Sequence, residues 1–323
     1  MRATLHPGAF AITAASPFAV GAKPLDPAKF RDPLLTAKGE ARASVTLGGL
    51  TTLWFNTGTL CNLACRGCYI ESSPTNDALV YLTLADLTLY LDEIARDGLP
   101  VREIGFTGGE PFMNRDFPAM IALVQQRGFD VLVLTNAMRP LRRFEAEVGK
   151  LSRERLTFRI SLDHFSAAIH DAERGDGSFA IALDGIRWLA GQGFAIAIAG
   201  RHLAGESEAA ATAGYAALFA GQGLPCPPLV LFPEMDASAD VPEITTACWG
   251  ILDVSPASIM CASSRMVVRR RGADRPAVLA CTLLAYDPQF ELGTTLAEAS
   301  RPVALNHPHC ARFCVLGGAS CSG

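Results

Sequence analysis

Between residues 53 and 232 the chain interleaves six short apolar runs of strand length with segments of helical period. The strands read as residues 53–55, 104–107, 131–134, 157–162, 194–199 and 229–232. Val131-Leu132-Val133-Leu134 is apolar without a break, the mark of a strand covered on both faces. Behind Thr83, residues Leu84, Leu87, Leu91 and Ile94 recur at helical spacing, with Asp86 placed as the acid of a capping box and Gly98 as the stop. Met120, Ile121, Leu123 and Val124 mark a second helix closed at Gly128. Ser178 reads as the cap of a helix carrying Ile181, Ile186 and Leu189, and residues 209–218 as another. Strands joined through helices run parallel, so the pattern predicts an α/β sheet covered by helices, with its site at the C-terminal strand ends.

The flanks differ. Residues 1–45 carry Pro17, Pro24, Pro27 and Pro33 and read as an irregular N-terminal extension. After Pro242 the pattern becomes a hairpin, residues 266–271 and 277–283, within a stretch where cysteines crowd. The predicted division is therefore an extension at 1–45, an α/β core at 46–240, and a small C-terminal hairpin-plus-helix, cysteine-rich domain at 241–323. A formal net charge of −4 argues against nucleic acid or a membrane surface as partner. The one basic run, Arg269-Arg270-Arg271, reads as a solvated hairpin tip. The longest uncharged stretch, 209–233, is broken by Gly221, Gly223 and prolines 225, 227 and 228, and residues 7–22 make a poor export signal because Pro7 and Pro17 interrupt them. A cytoplasmic protein is the expectation.

Ten cysteines need a purpose, and a chain of 323 residues has core enough to do without a disulfide framework. Cys61, Cys65 and Cys68 have three and then two residues between them, a spacing at which one tight loop aims three sulfurs at one point. A closed structural site takes four ligands, so three leave a metal position open. A zinc knuckle that borrows a fourth ligand is the alternative, but the loop directly follows a strand and precedes a helix, where α/β enzymes bind ligands. One βα unit later, Gly108-Gly109 lets the backbone approach a ligand closely, and Glu110 can accept from a cation.

The Cys61-Asn62-Leu63-Ala64-Cys65-Arg66-Gly67-Cys68 triplet, followed by Thr107-Gly108-Gly109-Glu110-Pro111, resembles the CxxxCxxC and GGEP motifs of the radical SAM superfamily. The resemblance implies a partial (β/α)6 TIM-like barrel, a 4Fe–4S cluster on Cys61, Cys65 and Cys68, and S-adenosylmethionine (SAM) on its open iron. By the same resemblance Gly108, Gly109, Glu110 and Pro111 contact the methionine amino group. Asn136, Ser161 and Asp163 sit where family members hydrogen-bond the SAM ribose and carboxylate; as polar residues at strand ends they serve equally to cap the next helix. Arg201 pairs with the SAM carboxylate or is a surface arginine. The segment from His170 to Gly175, followed by Gly177-Ser178-Phe179, resembles the subgroup with C-terminal cluster domains. One position departs: the family often has an aromatic residue before the third cysteine, whereas this chain has Gly67 there and Tyr69 after Cys68, which leaves the adenine contact unassigned.

The C-terminal cysteines resemble those of SPASM or twitch domains, with one before a hairpin, one after it and a later close pair. This implies an auxiliary 4Fe–4S cluster on Cys261, Cys281, Cys310 and Cys314, with Cys321 competing for the last place; a zinc site on the same thiolates is the alternative. His307 and His309 are further possible ligands or belong to a turn around Pro308, and Cys226 and Cys248 read as buried apolar residues. The implied activity is that of a radical SAM oxidoreductase. One electron cleaves SAM to a 5′-deoxyadenosyl radical, the radical takes hydrogen from a substrate, and the auxiliary cluster assists the oxidation. Glu234 and Asp236 are candidate bases for that step or ordinary loop acids. The substrate is a small molecule or a peptide, with the irregular N-terminus favouring a small molecule, and the electron donor is a reductase such as flavodoxin or ferredoxin. A peptide- or protein-modifying maturase of the same superfamily and a non-catalytic metal-binding protein are the rival readings.

Overall fold

After a two-residue strand, β1 (Ser44–Val45), the chain lays down six parallel strands, β2 (Thr52–Asn56), β3 (Glu103–Thr107), β4 (Asp130–Thr135), β5 (Leu156–Ser161), β6 (Ala195–Arg201) and β7 (Leu229–Phe232). The structure is a computed structural model that describes residues 24–203, 205–233 and 239–318. The six strands pair in chain order, Leu53 beside Ile104 and Ile104 beside Val131. Helices α1 (Leu84–Asp97), α2 (Phe117–Gln126), α3 (Arg139–Arg142), α4 (Glu145–Val148), α5 (Ala167–Arg174), α6 (Ser178–Gly191) and α7 (Glu208–Gly221) fill the crossovers. This is the helix-covered parallel sheet that the alternation predicts, in the partial (β/α)6 arrangement that the resemblance implies.

The core is aromatic where β2 and β3 meet the helices. Trp54, Phe55, Phe106 and Phe158 are wholly buried. Phe117 takes Phe106 and Phe112 edge-on, with ring centroids 5.2 and 4.9 Å apart, a geometry worth about 1 kcal/mol per pair beyond burial. The α1 capping box forms: Thr83 Oγ1 accepts from the Asp86 N–H at 3.1 Å and Asp86 Oδ2 from the Thr83 N–H at 3.0 Å. Helix α6 is capped differently from expectation. Ser178 is its first residue, and the acceptor is Asp171 of α5, which takes the Gly177 and Phe179 N–H groups at 2.9 and 2.7 Å and the Ser178 hydroxyl at 3.0 Å. A carboxylate serves a helix N-terminus better than a hydroxyl because it also opposes the dipole.

Past β7, a short helix α8 (Cys248–Leu252) leads to β8 (Ser264–Val268), which lies parallel to β2 with Leu53 beside Arg265. Then β9 (Ala277–Leu279) and β10 (Glu291–Gly293) add antiparallel strands, and the sheet runs β10-β9-β8-β2-β3-β4-β5-β6-β7. The predicted hairpin is present, with strands shorter than expected. A last strand, β11 (Val303–Ala304), pairs with β1, and residues Cys310–Leu316 form a π-helical turn. The sheet thus continues across the expected boundary near residue 240. Residues 24–43 form turns and isolated bridges and are anchored by the β1 strand that follows and by a buried Arg42–Glu243 pair at 2.5 Å. The basic run is neutralised rather than merely solvated: Arg269 pairs with Asp86 at 2.9 Å, Arg270 with Glu291 at 2.7 Å, and Arg271 with Asp77. No helix among the described residues is long and apolar enough to cross a membrane.

Candidate functional site

Strand β2 runs directly into the loop that carries the first three cysteines. Cys61 is buried, Cys65 and Cys68 are half-buried, and all three line a cleft of about 1080 Å³ that is partly open to solvent at the C-terminal ends of the parallel strands. Backbone donors point at two of the sulfurs: Leu63 N–H at Cys61 Sγ (3.4 Å) and Ser72 N–H at Cys68 Sγ (3.3 Å). Such bonds favour a charged sulfur, and hydrogen bonds to sulfur tune iron–sulfur clusters. Burial pushes the Cys61 thiol up to about 12, with the Glu110 carboxylate adding to it, and burial also raises Cys65. A metal centre would reverse this, since a coordinated thiol is deprotonated outright. No three His, Cys, Asp or Glu side chains among the described residues converge on a single ion, while the three thiols line one cleft.

Gly108 and Gly109 line the cleft and also pack against the cysteine loop. A Cβ on Gly108, whose φ is +140°, would lie 2.6 Å from the Gly58 carbonyl oxygen, and one on Gly109 would strike the Leu60 carbonyl. Gly109 N–H donates to Gly58 O at 2.8 Å and Glu110 N–H to Leu60 O at 3.3 Å. The glycines therefore join the end of β3 to the loop that presents Cys61. Glu110 likewise turns inward. Its carboxylate accepts from Thr135 Oγ1 and the Asn136 N–H, both at 2.8 Å, and from the Phe112 N–H at 3.2 Å. Burial pushes its carboxyl up to about 7 against those bonds. Pro111 begins a 3₁₀ turn behind it and does not line the cleft. Asn136 does line it, donating to Asn62 Oδ1 in the cysteine loop at 3.0 Å, and Ser161 lines it from the end of β5.

On the far wall the charges are paired. Asp163 takes a two-point contact from Arg174, at 2.6 and 3.0 Å, and Arg201 Nε lies 3.5 Å from the same carboxylate. Burial raises Asp163, but the two guanidiniums outweigh it and bring the carboxyl down to about 2. Arg201 is buried rather than a surface arginine: it donates to the Gly67 carbonyl at 2.8 Å, lies 3.9 Å from Glu173, and sits over the Tyr69 ring at 5.1 Å. Arg174, Glu173 and Tyr69 belong to this wall, although the sequence reading assigned them no role; the motif from His170 to Gly175 was the available signal. Tyr69 also meets Phe313 edge-on, and Phe313 stacks on Phe232, closing the apolar end of the cleft.

The second cysteine set is also brought together. Cys261, Cys281, Cys310, Cys314 and His309 line one small cavity. The π-helical turn sets Cys310 and Cys314 four residues apart, and burial with the neighbouring Cys281, Cys314 and Cys261 raises the Cys310 thiol well above its usual value. Four cysteines lining one apolar cavity supply the donor number of a four-thiolate centre. The two sites share a wall. Leu283 lines both, while Thr282 and Phe313, next to Cys281 and Cys314, line the first cleft. His307 accepts from the His309 N–H at 3.0 Å, as a turn requires, and does not line the cavity. Cys226 is exposed, contrary to expectation, and Cys248 is half-buried, accepting from the Thr245 N–H at 3.3 Å. Glu234, Asp236 and Cys321 lie outside the described residues.

The sequence profile of the radical SAM superfamily matches residues 55–208. The chain is 33% identical over 140 residues to the antilisterial bacteriocin subtilosin biosynthesis protein AlbA of Bacillus subtilis (strain 168), covering 43% of this chain and 30% of AlbA. It is 31% identical over 152 residues to the mycofactocin maturase MftC of Mycobacterium ulcerans (strain Agy99), covering 46% and 40%. The chain thus spans less than half the length of these relatives. In fold it is similar to anSMEcpe with bound AdoMet, at TM-score 0.57 and 14% identity over 77% of this chain and 80% of that one. Streptococcus suis SuiB bound to S-adenosylmethionine gives TM-score 0.56 and 10% identity over 76% and 63%. Residues 55–208, with the cysteine loop at the head of their first strand, are a radical SAM domain.

Proposed function

We propose that this chain is a radical SAM oxidoreductase with a 4Fe–4S cluster on Cys61, Cys65 and Cys68 and an auxiliary 4Fe–4S cluster on Cys261, Cys281, Cys310 and Cys314. The observation that carries it is the opening of three cysteines, set on a loop fixed from β3, into a cleft at the parallel strand ends. Bound together, cluster and SAM supply reductive cleavage to a 5′-deoxyadenosyl radical that takes a hydrogen atom from the substrate. The chain's own residues hold and shield. Leu63 and Ser72 donate to the cysteine sulfurs, Asn136 and Ser161 offer polar contacts to SAM, and Arg174 and Arg201, held by Asp163, line the cleft as donors for a carboxylate. Tyr69, Phe232 and Phe313 keep water from one side of the cleft.

The shared wall supports a substrate held between the two sites, with the auxiliary cluster taking an electron from it, and residues 46–240 and 241–323 as the two functional parts. Glu234 or Asp236 serves as base in that oxidation. The setting is cytoplasmic, with a flavodoxin or ferredoxin as electron donor. A second reading, a peptide- or protein-modifying maturase, is favoured by the similarity to AlbA and MftC. The reading is tested by electron paramagnetic resonance on the anaerobically reconstituted, reduced chain. Addition of SAM is expected to change the spectrum of the wild type but not of C61A. A SAM-insensitive wild-type spectrum would refute it.

A further inference from the structure

Arg265, the second residue of β8, is 1% exposed, and its three nitrogens donate only to carbonyl oxygens. Nε donates to Ala299 O at 2.8 Å, Nη1 to Cys261 O at 2.5 Å and Ser264 O at 2.7 Å, and Nη2 to Arg301 O at 3.4 Å. No acidic side chain among the described residues lies within ion-pair distance of it, whereas the buried Arg42 has Glu243 and the buried Arg174 and Arg201 share Asp163. A buried cation without a counter-charge is costly, and carbonyl dipoles offset only part of that cost. The bond from Nη1 to the Cys261 carbonyl sets the guanidinium against the second cysteine cavity, which Cys261 and Cys281 line from before and after the β8–β9 hairpin, and both thiols act on its charge.

We propose that Arg265 is the counter-charge of the second cysteine site, its buried guanidinium balanced by the thiolates of Cys261 and Cys281 when these hold a metal cluster. The inference rests on the reading that Cys261, Cys281, Cys310 and Cys314 bind an auxiliary 4Fe–4S cluster. A four-thiolate cluster is anionic, so a cation fixed beside two of its ligands favours the state with one more electron and raises its reduction potential. Arg265 touches no substrate and acts as a positioning residue through the cluster. Without the cluster the cation is stranded, which links occupancy of the site to stability of the fold.

The test uses the full chain, reconstituted anaerobically with iron and sulfide, as wild type, C261S/C281S, R265M, R265K and the triple variant C261S/C281S/R265M. Wild type is expected to hold about eight iron per chain and C261S/C281S about four. In a potentiometric titration followed by electron paramagnetic resonance, R265M is expected to lower the auxiliary midpoint and leave that of the first cluster in place, with R265K close to wild type. In thermal melts R265M is expected to destabilise the wild-type background but leave C261S/C281S/R265M at least as stable as C261S/C281S. That comparison stands even if the single variant fails to fold. An arginine that merely cross-links carbonyls predicts an equal loss in both backgrounds. Equal losses, or an unmoved auxiliary midpoint in a chain holding about eight iron, overturn the proposal alone. A wild type holding about four iron, none of it lost in C261S/C281S, overturns the auxiliary-cluster reading and the proposal with it.

Discussion

The Gly67 N–H donates to the Glu173 carboxylate, while Arg201 closes on the Gly67 carbonyl from the other side at 2.8 Å. The middle of the cysteine loop is thereby clamped between α5 and β6. A Cβ at residue 67 would lie 2.5 Å from Glu173 Oε1 and 2.8 Å from Arg201 Nη1, so glycine replaces the aromatic residue that the family motif leads one to expect. Gly67→Ala is expected to displace the loop and lose most of the iron of the first site while sparing the second. Glu173→Gln, which keeps the shape, is expected to cost about 1.5–3 kcal/mol in chemical denaturation, the range for a charge-assisted hydrogen bond. Full iron retention by Gly67→Ala would contradict the clamp.

Asp163 holds two guanidiniums on one buried carboxylate. Removing the charge as Asp163→Asn leaves both cations short of a partner and is expected to cost about 3–5 kcal/mol in a denaturant titration. A loss below about 1 kcal/mol, the scale of a surface pair, would show that the site is better solvated than its burial implies.

Two buried groups oppose each other in acid. Glu110 is raised from 4.5 to about 7, so the folded protein holds its proton more tightly than the unfolded chain and acidification from pH 7 to 4.5 stabilises the fold. His170 is lowered from 6.5 to about 4 by burial, so the fold keeps it neutral and acidification from pH 6.5 to 4 destabilises it. Glu110→Gln removes the first effect. Denaturant midpoints of this variant are expected to fall more steeply than wild type between pH 6.5 and 4.5, by about 1.4 kcal/mol per pH unit. Parallel slopes would contradict the burial of Glu110 as a titrating group.

Phe313 ties the two cysteine sites together. It is wholly buried, stacks on Phe232 at 5.4 Å, meets Tyr69 at 6.2 Å, and stands beside Cys314. Phe313→Ala is expected to cost about 3–5 kcal/mol, and Phe313→Leu less. With the wall opened, the Phe313→Ala variant is also expected to lose iron from both sites. An iron content unchanged at both sites would separate Phe313 from them.

The parallel core was legible in the sequence because strands covered on both faces leave unbroken apolar runs, as at residues 131–134. The cysteine loop was legible because its three cysteines are local in sequence. What was hidden depends on long-range partners. The Gly67–Glu173 bond joins residues 106 positions apart. The parallel pairing of β8 with β2 sets Arg265 beside Leu53, and no local pattern marks an arginine in that strand as wholly buried. The hydrogen bonds that hold the Glu110 carboxylate come from Thr135 and Asn136 at the next strand end, which its own local motif does not show. Ser178 looked like a cap because serine is a common cap residue, whereas the cap comes from Asp171 on the preceding helix.

The central claim is that Cys61, Cys65 and Cys68 hold a cluster that cleaves SAM. The measurement that tests it most directly is the yield of 5′-deoxyadenosine from the anaerobically reconstituted chain with SAM and dithionite, for wild type and Cys65→Ala side by side. The account predicts nucleoside from the wild type and none above background from Cys65→Ala. No nucleoside from a wild type with full iron, or an undiminished yield from Cys65→Ala, would contradict it.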